Sequence, residues 1–231
     1  MEPKNERKPE LTILMPCLNE EKTLAFCIRQ AQQFLNEAQL DGEILIVDNG
    51  STDSSADLAR SCGARVVTQL RRGYGSALRY GIAHARGRCI LFGDCDGTYD
   101  FSRLHALYQA LADGADAVVG DRFSGGIEKG AMPLSHRLGV RFLSLCGRIK
   151  FHTDIRDFHC GLRGLTQNAA EKADFCTNGM EFATEFIAVL EKNGCRIAQA
   201  PVPLRRCPIP RTPHLRTIPD GLRHLRYILT Y

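Results

Sequence analysis

Two carboxylates two residues apart, Asp94 and Asp96, are the clearest candidates for chemistry in this sequence. They follow the apolar run 89–92, and two like charges this close repel each other unless a cation lies between them. Carboxylate oxygens with open coordination positions are typical of sites that hold Mg²⁺ or Mn²⁺ together with the phosphates of a substrate. The pattern favours a divalent metal site at Asp94, Asp96 and Thr98 over a plain acidic turn.

Two further polar clusters also follow apolar runs. Residues 16–20 (PCLNE) come after the run 11–15, and residues 48–53 (DNGSTD) come after the run 43–47. Because ligands of open α/β sheets bind at the carboxyl ends of the strands, we expect both clusters to converge with the acidic pair. Taken singly, Glu20 and Asp53 fit equally well as charges at helix N-termini, and Asp48 fits as part of a turn.

Short apolar runs alternate with amphipathic segments along the first half of the chain. They predict strands at 11–15, 43–47, 64–68, 89–92 and 117–119, with helices at 21–38, 76–85 and 101–112 and one that ends at 61, for which residues 51–53 offer N-caps. Beyond residue 120 we expect helices at 134–147 and 180–192, an edge strand at 197–201 and a last helix from Pro219. Strands separated by helices form βαβ units, so the predicted fold is α/β, a mostly parallel sheet sandwiched by helices.

Charge divides the chain at residue 204. The 231 residues include 30 basic and 26 acidic ones, a formal net charge of +4. Residues 205–231 hold six arginines and one aspartate, a net charge of +5, so residues 1–204 carry −1. Proteins that bind nucleic acid usually need a basic stripe on the folded body, so we expect no nucleic-acid partner. We expect a catalytic domain at 1–204, then a basic proline-rich segment and an amphipathic juxtamembrane helix at 205–231.

Cysteine spacing and hydropathy exclude two other classes of protein. The ten cysteines include no CxxC pair, so no zinc-ribbon pattern is present and reduced, mostly buried thiols are expected. No uncharged apolar stretch approaches the roughly 18 residues of a membrane span. Tyr227 and Tyr231, beside the basic residues of the last helix, suit a membrane interface instead.

Several motifs resemble one enzyme family over roughly residues 11–229. The segments that carry the resemblance are 14–21 (LMPCLNEE), 46–53 (IVDNGSTD), 72–78 (RGYGSAL), 93–96 (GDCD), 120–123 (GDRF), 157–163 (DFHCGLR) and 213–217 (PHLRT). In order and spacing they resemble the inverting family 2 glycosyltransferases of GT-A fold, and within them the polyprenyl-phosphate (dolichol-phosphate-type) sugar synthases. The acceptor loop of that family is replaced here by residues 207–211 (CPIPR), so its contacts are not transferred.

The resemblance implies a role for each matched residue. Contacts to the donor nucleotide sugar fall on Pro16, Leu18, Glu20, Asp48, Gly75 and Asp94, although Gly75 also fits as a glycine that allows a close approach before a helix. Contacts to phosphates fall on Arg122, Arg137 and Arg163, and the catalytic set is Asp96, Asp157 and Arg137. For Asp157, a salt bridge to Arg163 is at least as good an interpretation.

The function that the resemblance implies is transfer of a hexose from a nucleotide-diphosphate sugar, GDP-mannose or UDP-glucose, to dolichyl or undecaprenyl phosphate. Mg²⁺ or Mn²⁺ would be the cofactor, and the enzyme would work against an anionic membrane surface, on its cytoplasmic face. Two alternatives stay open. Residues 94–98 (DCDGT) also match the nucleophile motif of haloacid-dehalogenase-type phosphatases, and the basic tail alone would suit a non-catalytic module on anionic lipid.

Overall fold

Seven β-strands form one sheet in the part of the protein that the computed structural model describes, namely residues 8–207, 209 and 217–231. The strands are β1 (Leu11–Cys17), β2 (Gly42–Asp48), β3 (Arg65–Thr68), β4 (Cys89–Phe92), β5 (Ala117–Asp121), β6 (Arg163–Thr166) and β7 (Ile197–Pro201). Their order across the sheet is β3-β2-β1-β4-β6-β5-β7. The three strands that precede the polar clusters, β2, β1 and β4, are therefore neighbours.

The direction of the strands confirms the predicted fold class. Within the described residues β1 pairs in parallel with β2 and β4, β2 with β3, and β5 with β7. The one antiparallel strand of this sheet is β6, which lies between β4 and β5. The β7 strand lies at an edge of the sheet, as predicted.

Helices cover both faces of this sheet. They are α1 (Leu24–Glu37), α2 (Ser55–Ser61), α3 (Tyr74–His84), α4 (His105–Ala112), α5 (Arg122–Gly125), α6 (Leu134–Phe151), α7 (Gln167–Lys172), α8 (Phe182–Lys192) and α9 (Thr217–Thr230). One buried cluster joins the sheet to α1, α2 and α4, and a second joins its other face to α3, α7 and α8. The sheet is thus buried on both sides, which explains why its strands are almost continuously apolar.

Hydrophobic spacing explains the buried face of α1. Its residues Leu24, Ile28, Ala31, Phe34 and Leu35 are all buried, at the spacing of about three and four residues that places side chains on one face of a helix.

Two expectations about the elements need correction. The segment 101–112 is not one helix, because a 3₁₀ turn at Phe101–Arg103 precedes α4 and is capped by the Asp100 carboxylate, which accepts from Ser102 N at 3.1 Å. The sequence also did not predict β6 or α7. The strand has only four residues and contains Arg163 and Gly164, so it lacks the run of apolar residues by which buried strands are recognised.

The last helix packs on the body of the protein. In α9, His224 and Ile228 are buried, and the helix contacts α6 and α8. The residues that precede it, 208 and 210–216, lie outside the described residues, and with them most of the proline-rich segment. The division at residue 204 therefore stays a prediction. No helix of the described residues is both long enough and apolar enough to cross a bilayer.

A buried carboxylate on α8 holds the loop that packs against α3. Glu185 is fully buried and accepts hydrogen bonds from Cys176 N at 2.8 Å and from Thr177 Oγ1 at 2.6 Å. Residues 177–179 in turn accept from the first residues of α3, through Gly75 N and Ser76 N.

We expect Glu185→Ala to lower the free energy of unfolding by about 2 kcal/mol, since it removes the fully buried acceptor of the N–H groups of Cys176 and Thr177. Urea unfolding followed by circular dichroism measures the change. Glu37→Ala on α1 is the control, because Glu37 is exposed and bonds only to the exposed Gln33 in the described structure, and such a change costs less than about 0.5 kcal/mol. Equal midpoints for the two variants would contradict the assigned role.

Candidate active site

A cavity of about 1320 Å³ opens at the carboxyl ends of β1, β2 and β4. All three polar clusters contribute to its lining, through Pro16, Leu18, Glu20, Asn49, Asp94, Asp96 and Thr98. The predicted convergence of the three clusters is therefore confirmed. The cavity extends away from the sheet to α6 and α9, which contribute Phe142 and Leu222.

The acidic pair lies on a tight turn directly after β4. Gly93 N donates to Leu14 O at 3.2 Å, so β1 and β4 stay together up to the turn. Asp96 is buried and its Oδ1 accepts from Thr98 N at 2.9 Å and Thr98 Oγ1 at 2.5 Å, across Gly97, whose φ is +79°. The hydroxyl proton of Thr98 is thus used to hold Asp96, and the role of Thr98 as a metal ligand stays a prediction.

Asp94 is held from two sides by residues that the sequence analysis did not select. The Tyr74 hydroxyl at the start of α3 hydrogen-bonds the Asp94 carboxylate; burial, and then the charge of Asp94, raise the pKa of Tyr74 well above its ordinary value. On the other side, a Cβ on Gly161 would overlap Asp94 Oδ2, and Gly161 N donates to Tyr99 Oη at 2.8 Å. The position of Tyr74 between two glycines was the feature of the sequence that could have identified it as a site residue.

The residues at this turn fit a divalent cation that is shared with a phosphorylated ligand. Asp94 and Asp96 both contribute to the cavity lining and supply hard oxygen donors. Among the described residues no group of three or more His, Cys, Asp or Glu side chains is arranged to hold a metal. An ion at this turn would therefore complete its coordination with phosphate oxygens and water, as Mg²⁺ commonly does.

The cluster after β2 differs from its prediction. Asp48 is buried, accepts from Ser51 N at 3.1 Å and is absent from the cavity lining, so it shapes the turn. Its neighbour Asn49 does line the cavity, and its Oδ1 accepts from Gly73 N at 2.8 Å. Asp53 accepts from Ser55 N at 3.0 Å, in front of α2. The contacts of Asp48 are therefore those of a turn residue, and the contacts of Asp53 are those of a charge at a helix N-terminus.

Gly75 has a packing role in this structure. It does not line the cavity, whereas Gly73 and Tyr74 do. A Cβ on Gly75 would lie 2.7 Å from Thr177 O and 2.9 Å from Gly179 O. These contacts agree with a glycine that lets two backbone segments approach closely at the start of a helix. Since Gly75 does not line the cavity, its implied contact with the donor stays a prediction.

Glu20 contributes to the cavity lining from the turn after β1. It is buried, its Oε2 accepts from Thr23 Oγ1 at 3.1 Å, and its N–H donates to Ser55 Oγ at 2.9 Å. Pro16 and Leu18 line the cavity beside it. The structure thus brings these three predicted donor contacts to one side of the cavity.

A buried ion pair lies at the cavity where Arg122 contributes to its lining. Arg122 Nε donates to Asp157 Oδ2 at 2.7 Å and Arg122 Nη2 to Asp157 Oδ1 at 2.8 Å. Burial alone would lower the pKa of Arg122, but Tyr99 and Asp157 outweigh it and raise that pKa further. Arg122 lines the cavity, whereas Asp157 is fully buried beneath it. The partner of Asp157 is therefore Arg122 and not Arg163.

The phosphate contact expected of Arg163 is corrected by the structure. Arg163 is buried outside the cavity lining, and its guanidinium donates to the carbonyl oxygens of Phe158, Cys160 and Ala183. These bonds connect β6 to α8, and desolvation lowers the pKa of Arg163 from its ordinary value. Arg137 lies half-buried on α6, next to His136 of the lining, and its phosphate contact stays a prediction.

Comparison with known proteins connects this site to a family. Residues 12–173 match the glycosyl transferase family 2 domain. The chain is 35% identical to the low-salt glycan biosynthesis hexosyltransferase Agl6 of Haloferax volcanii, over 96% of this chain and 53% of that protein. It is 28% identical to a dolichyl-phosphate hexose transferase of the same organism, over 85% of this chain and 83% of that protein. The chain thus spans about half the length of Agl6.

The fold matches a solved glycosyltransferase structure. A glucosyl-3-phosphoglycerate synthase from Mycobacterium tuberculosis, in complex with Mn²⁺, UDP-glucose and phosphoglyceric acid, superposes with a TM-score of 0.76 at 21% identity. The alignment covers 96% of this chain and 79% of that one. At this identity the likeness shows the GT-A fold. With the domain match over residues 12–173, we conclude that this chain belongs to glycosyl transferase family 2.

Proposed function

We propose that this protein moves a hexose from a nucleotide-diphosphate sugar to a polyprenyl phosphate at an anionic membrane surface. The observation that carries the proposal is one cavity lined both by an acidic pair and by an arginine that a buried carboxylate holds in place. The acidic pair suits a metal with a diphosphate, and the arginine suits a phosphate acceptor. Relatives named dolichyl-phosphate hexose transferase and dolichyl-phosphate beta-glucosyltransferase support this acceptor class.

On the donor side, Asp94 and Asp96 would hold Mg²⁺ or Mn²⁺. The cation supplies positive charge that stabilises the leaving nucleoside diphosphate as its negative charge develops. Tyr74 orients Asp94, and Thr98 orients Asp96. The proposed donors are GDP-mannose and UDP-glucose, and the nucleotide would lie along the wall formed by Pro16, Leu18 and Glu20.

On the acceptor side, Arg122 positions the phosphate. A phosphate monoester is largely ionised near neutral pH, so an acceptor oxygen can attack the anomeric carbon without a strong general base. The bond to the donor diphosphate breaks as the new bond forms on the opposite face, and its electron pair leaves with the diphosphate, which inverts the anomeric carbon. Asp157 is a positioning residue in this scheme, because it orients Arg122 from below. Arg137 is the second proposed phosphate ligand.

The membrane would lie against α6 and α9. Five large apolar side chains of α6 are each more than half exposed, at positions Leu134, Leu138, Phe142, Leu145 and Ile149. The same helix holds four basic residues and no acidic one. Leu222 and Leu229 on the neighbouring α9 are also exposed. An apolar face flanked by basic residues is typical of helices that lie in the interface of an anionic bilayer.

The cavity connects the acidic turn with this surface. Its lining includes Phe142 of the exposed stripe and Leu222 of α9. A lipid whose tail stays in the bilayer could therefore present its phosphate to Arg122 through the space between these helices.

We expect thermal stabilisation that requires both Mn²⁺ and one nucleotide or nucleotide sugar from a panel of UDP, GDP, UDP-glucose and GDP-mannose. Asp96→Asn should abolish that stabilisation and lower hexose transfer by at least about a hundred-fold, since it removes a charge that would hold the ion. Asp57→Asn is the control, because Asp57 is exposed on α2 and pairs only with Arg60 in the described structure. A panel without any metal-dependent shift would contradict the proposal.

We expect Asp157→Asn to lower kcat/KM for the phosphate acceptor by about ten- to a hundred-fold, since Arg122 loses its bidentate partner. The same variant should keep the Mn²⁺-dependent shift with the donor, because the described hydrogen bonds of the Asp157 carboxylate go to Arg122 and His159 N and not to the acidic turn. Steady-state kinetics with a short-chain prenyl phosphate and differential scanning fluorimetry separate the two effects. The matched control is Asp154→Asn, whose side chain is fully exposed, and equal loss of both binding steps would contradict a positioning role.

We expect the protein to sediment with vesicles of phosphatidylglycerol and phosphatidylcholine at low salt. The double variant Leu138→Glu/Leu145→Glu should sediment at least about ten-fold less, because it places two charges on the proposed lipid face. These two residues lie outside the cavity lining, so transfer to a detergent-soluble acceptor tests whether the variant is folded. The control is Leu70→Glu, on an 87% exposed residue between β3 and α3. Unchanged sedimentation of the double variant would contradict this surface.

A further inference from the structure

Cysteine side chains surround the acidic turn. Cys95 separates Asp94 from Asp96, Cys17 ends β1, and Cys207 Sγ donates to Asp96 O at 3.1 Å. All ten cysteines are reduced in this structure. The glycosyl transfer proposed above gives these thiols no role.

The turn after β4 brings Cys95 next to the end of β1. The pairing of the two strands ends with Leu14 and Phe92, and Gly93 N then donates to Leu14 O at 3.2 Å. Cys95 follows in the bend, where its Sγ reaches Pro16 O, the carbonyl oxygen of the residue before Cys17. The range of Cα separations that a disulfide spans, about 4.4–6.8 Å, suits residues that are neighbours in this way.

The two side chains lie in the same buried cluster and touch. Both belong to the buried cluster formed with α1, and the two thiols share a hydrogen bond. Cys95 Sγ also donates to Pro16 O at 3.2 Å. Joining the sulfurs therefore needs a shift of the side chains and no rearrangement of the strands.

Reagents can approach this pair through the cavity. Each of the two residues is only 2% exposed, yet both contribute to the cavity lining. Other buried thiols, such as Cys27 on α1, do not line it.

We propose that Cys17 and Cys95 are a reversible disulfide site, and that the bond closes the donor site. The oxidant is a low-molecular-weight disulfide of the glutathione class. One protein thiolate attacks it and releases one small thiol; the other protein thiolate then attacks the mixed disulfide and releases the second. The two protein thiols lose two electrons and two protons, and the small disulfide gains them as two thiols.

The effect on the donor site follows from the position of Cys95. A disulfide brings the two sulfurs to about 2.05 Å, closer than a thiol hydrogen bond, and ends the contact of Cys95 Sγ with Pro16 O. Cys95 is covalently flanked by both carboxylates of the acidic turn, so its movement displaces them. Displacements of about 1 Å in a catalytic arrangement can cost about a hundred-fold in rate. This half of the inference rests on the proposed function, whereas the disulfide itself does not.

The test begins with the whole chain in reduced form, treated with oxidised glutathione and digested without reduction. Mass spectrometry should find the peptide containing Cys17 joined to the peptide containing Cys95, and dithiothreitol should separate them. Cys17→Ser and Cys95→Ser should each abolish this product, whereas Cys62→Ser on the end of α2 should not. Failure to form it at high oxidised glutathione, or preferential joining of other cysteines, would overturn the site.

The second arm measures Mn²⁺-dependent stabilisation by UDP and GDP before and after oxidation. We expect at least about a ten-fold loss of nucleotide affinity on oxidation, reversed by dithiothreitol and absent in Cys17→Ser. Unchanged affinity of the mapped disulfide form would overturn the closing of the donor site. A reduced protein that binds neither nucleotide would overturn the proposed function, and the mapped disulfide would then stand independently of it.

Discussion

The parallel pairing of β1 with β2 and β4 is the constraint on which this site depends. Parallel strands end at the same edge of a sheet, so the turns after these strands must meet whatever their sequences are. The bond from Gly93 N to Leu14 O extends the pairing past the last residue of β4. The acidic turn therefore begins at a position set by the core of the protein. Carboxylates that repel each other can be held there because the buried strands fix the start of the turn, and contacts with Tyr74 and Thr98 then orient the two side chains.

The buried arginines show a second constraint, which is that a desolvated charge needs partners. Arg122 and Arg163 lie in neighbouring motifs and looked equivalent in the sequence. Arg122 pairs with the carboxylate of Asp157 at the cavity floor, whereas Arg163 bonds to three carbonyl oxygens at the center of the protein. Carbonyl oxygens are available in any sequence, so nothing in the residue types distinguishes the two arginines. Burial and chain direction decide which of them can meet a ligand.

Much of the fold followed from hydrophobic spacing, because each βαβ unit is local and its strands are apolar throughout. The same argument failed for β6, whose four residues include an arginine and a glycine. The convergence of residues 16–20, 48–53 and 94–98 was predictable from strand order. The exact contacts could not be predicted. Asn49 lines the cavity and the expected Asp48 does not; Tyr74 lines it and contacts Asp94, whereas the expected Gly75 does not line it. Neighbouring residues of one motif point in different directions, and the motif itself does not indicate which of them faces the cavity.

The charge distribution acquires a physical meaning once the helices are placed. The excess of arginine beyond residue 204 looked like the main basic feature, yet α6, in the nearly neutral first part of the chain, also holds four basic residues and no acidic one. Helices α6 and α9 both contribute to the lining of the cavity that the acidic turn also lines. A ligand with two separated phosphates, one on a nucleotide and one on a lipid, would meet there both carboxylates that suit a cation and helices that carry basic side chains. The formal net charge of +4 reveals neither feature, because acidic and basic residues cancel in the sum.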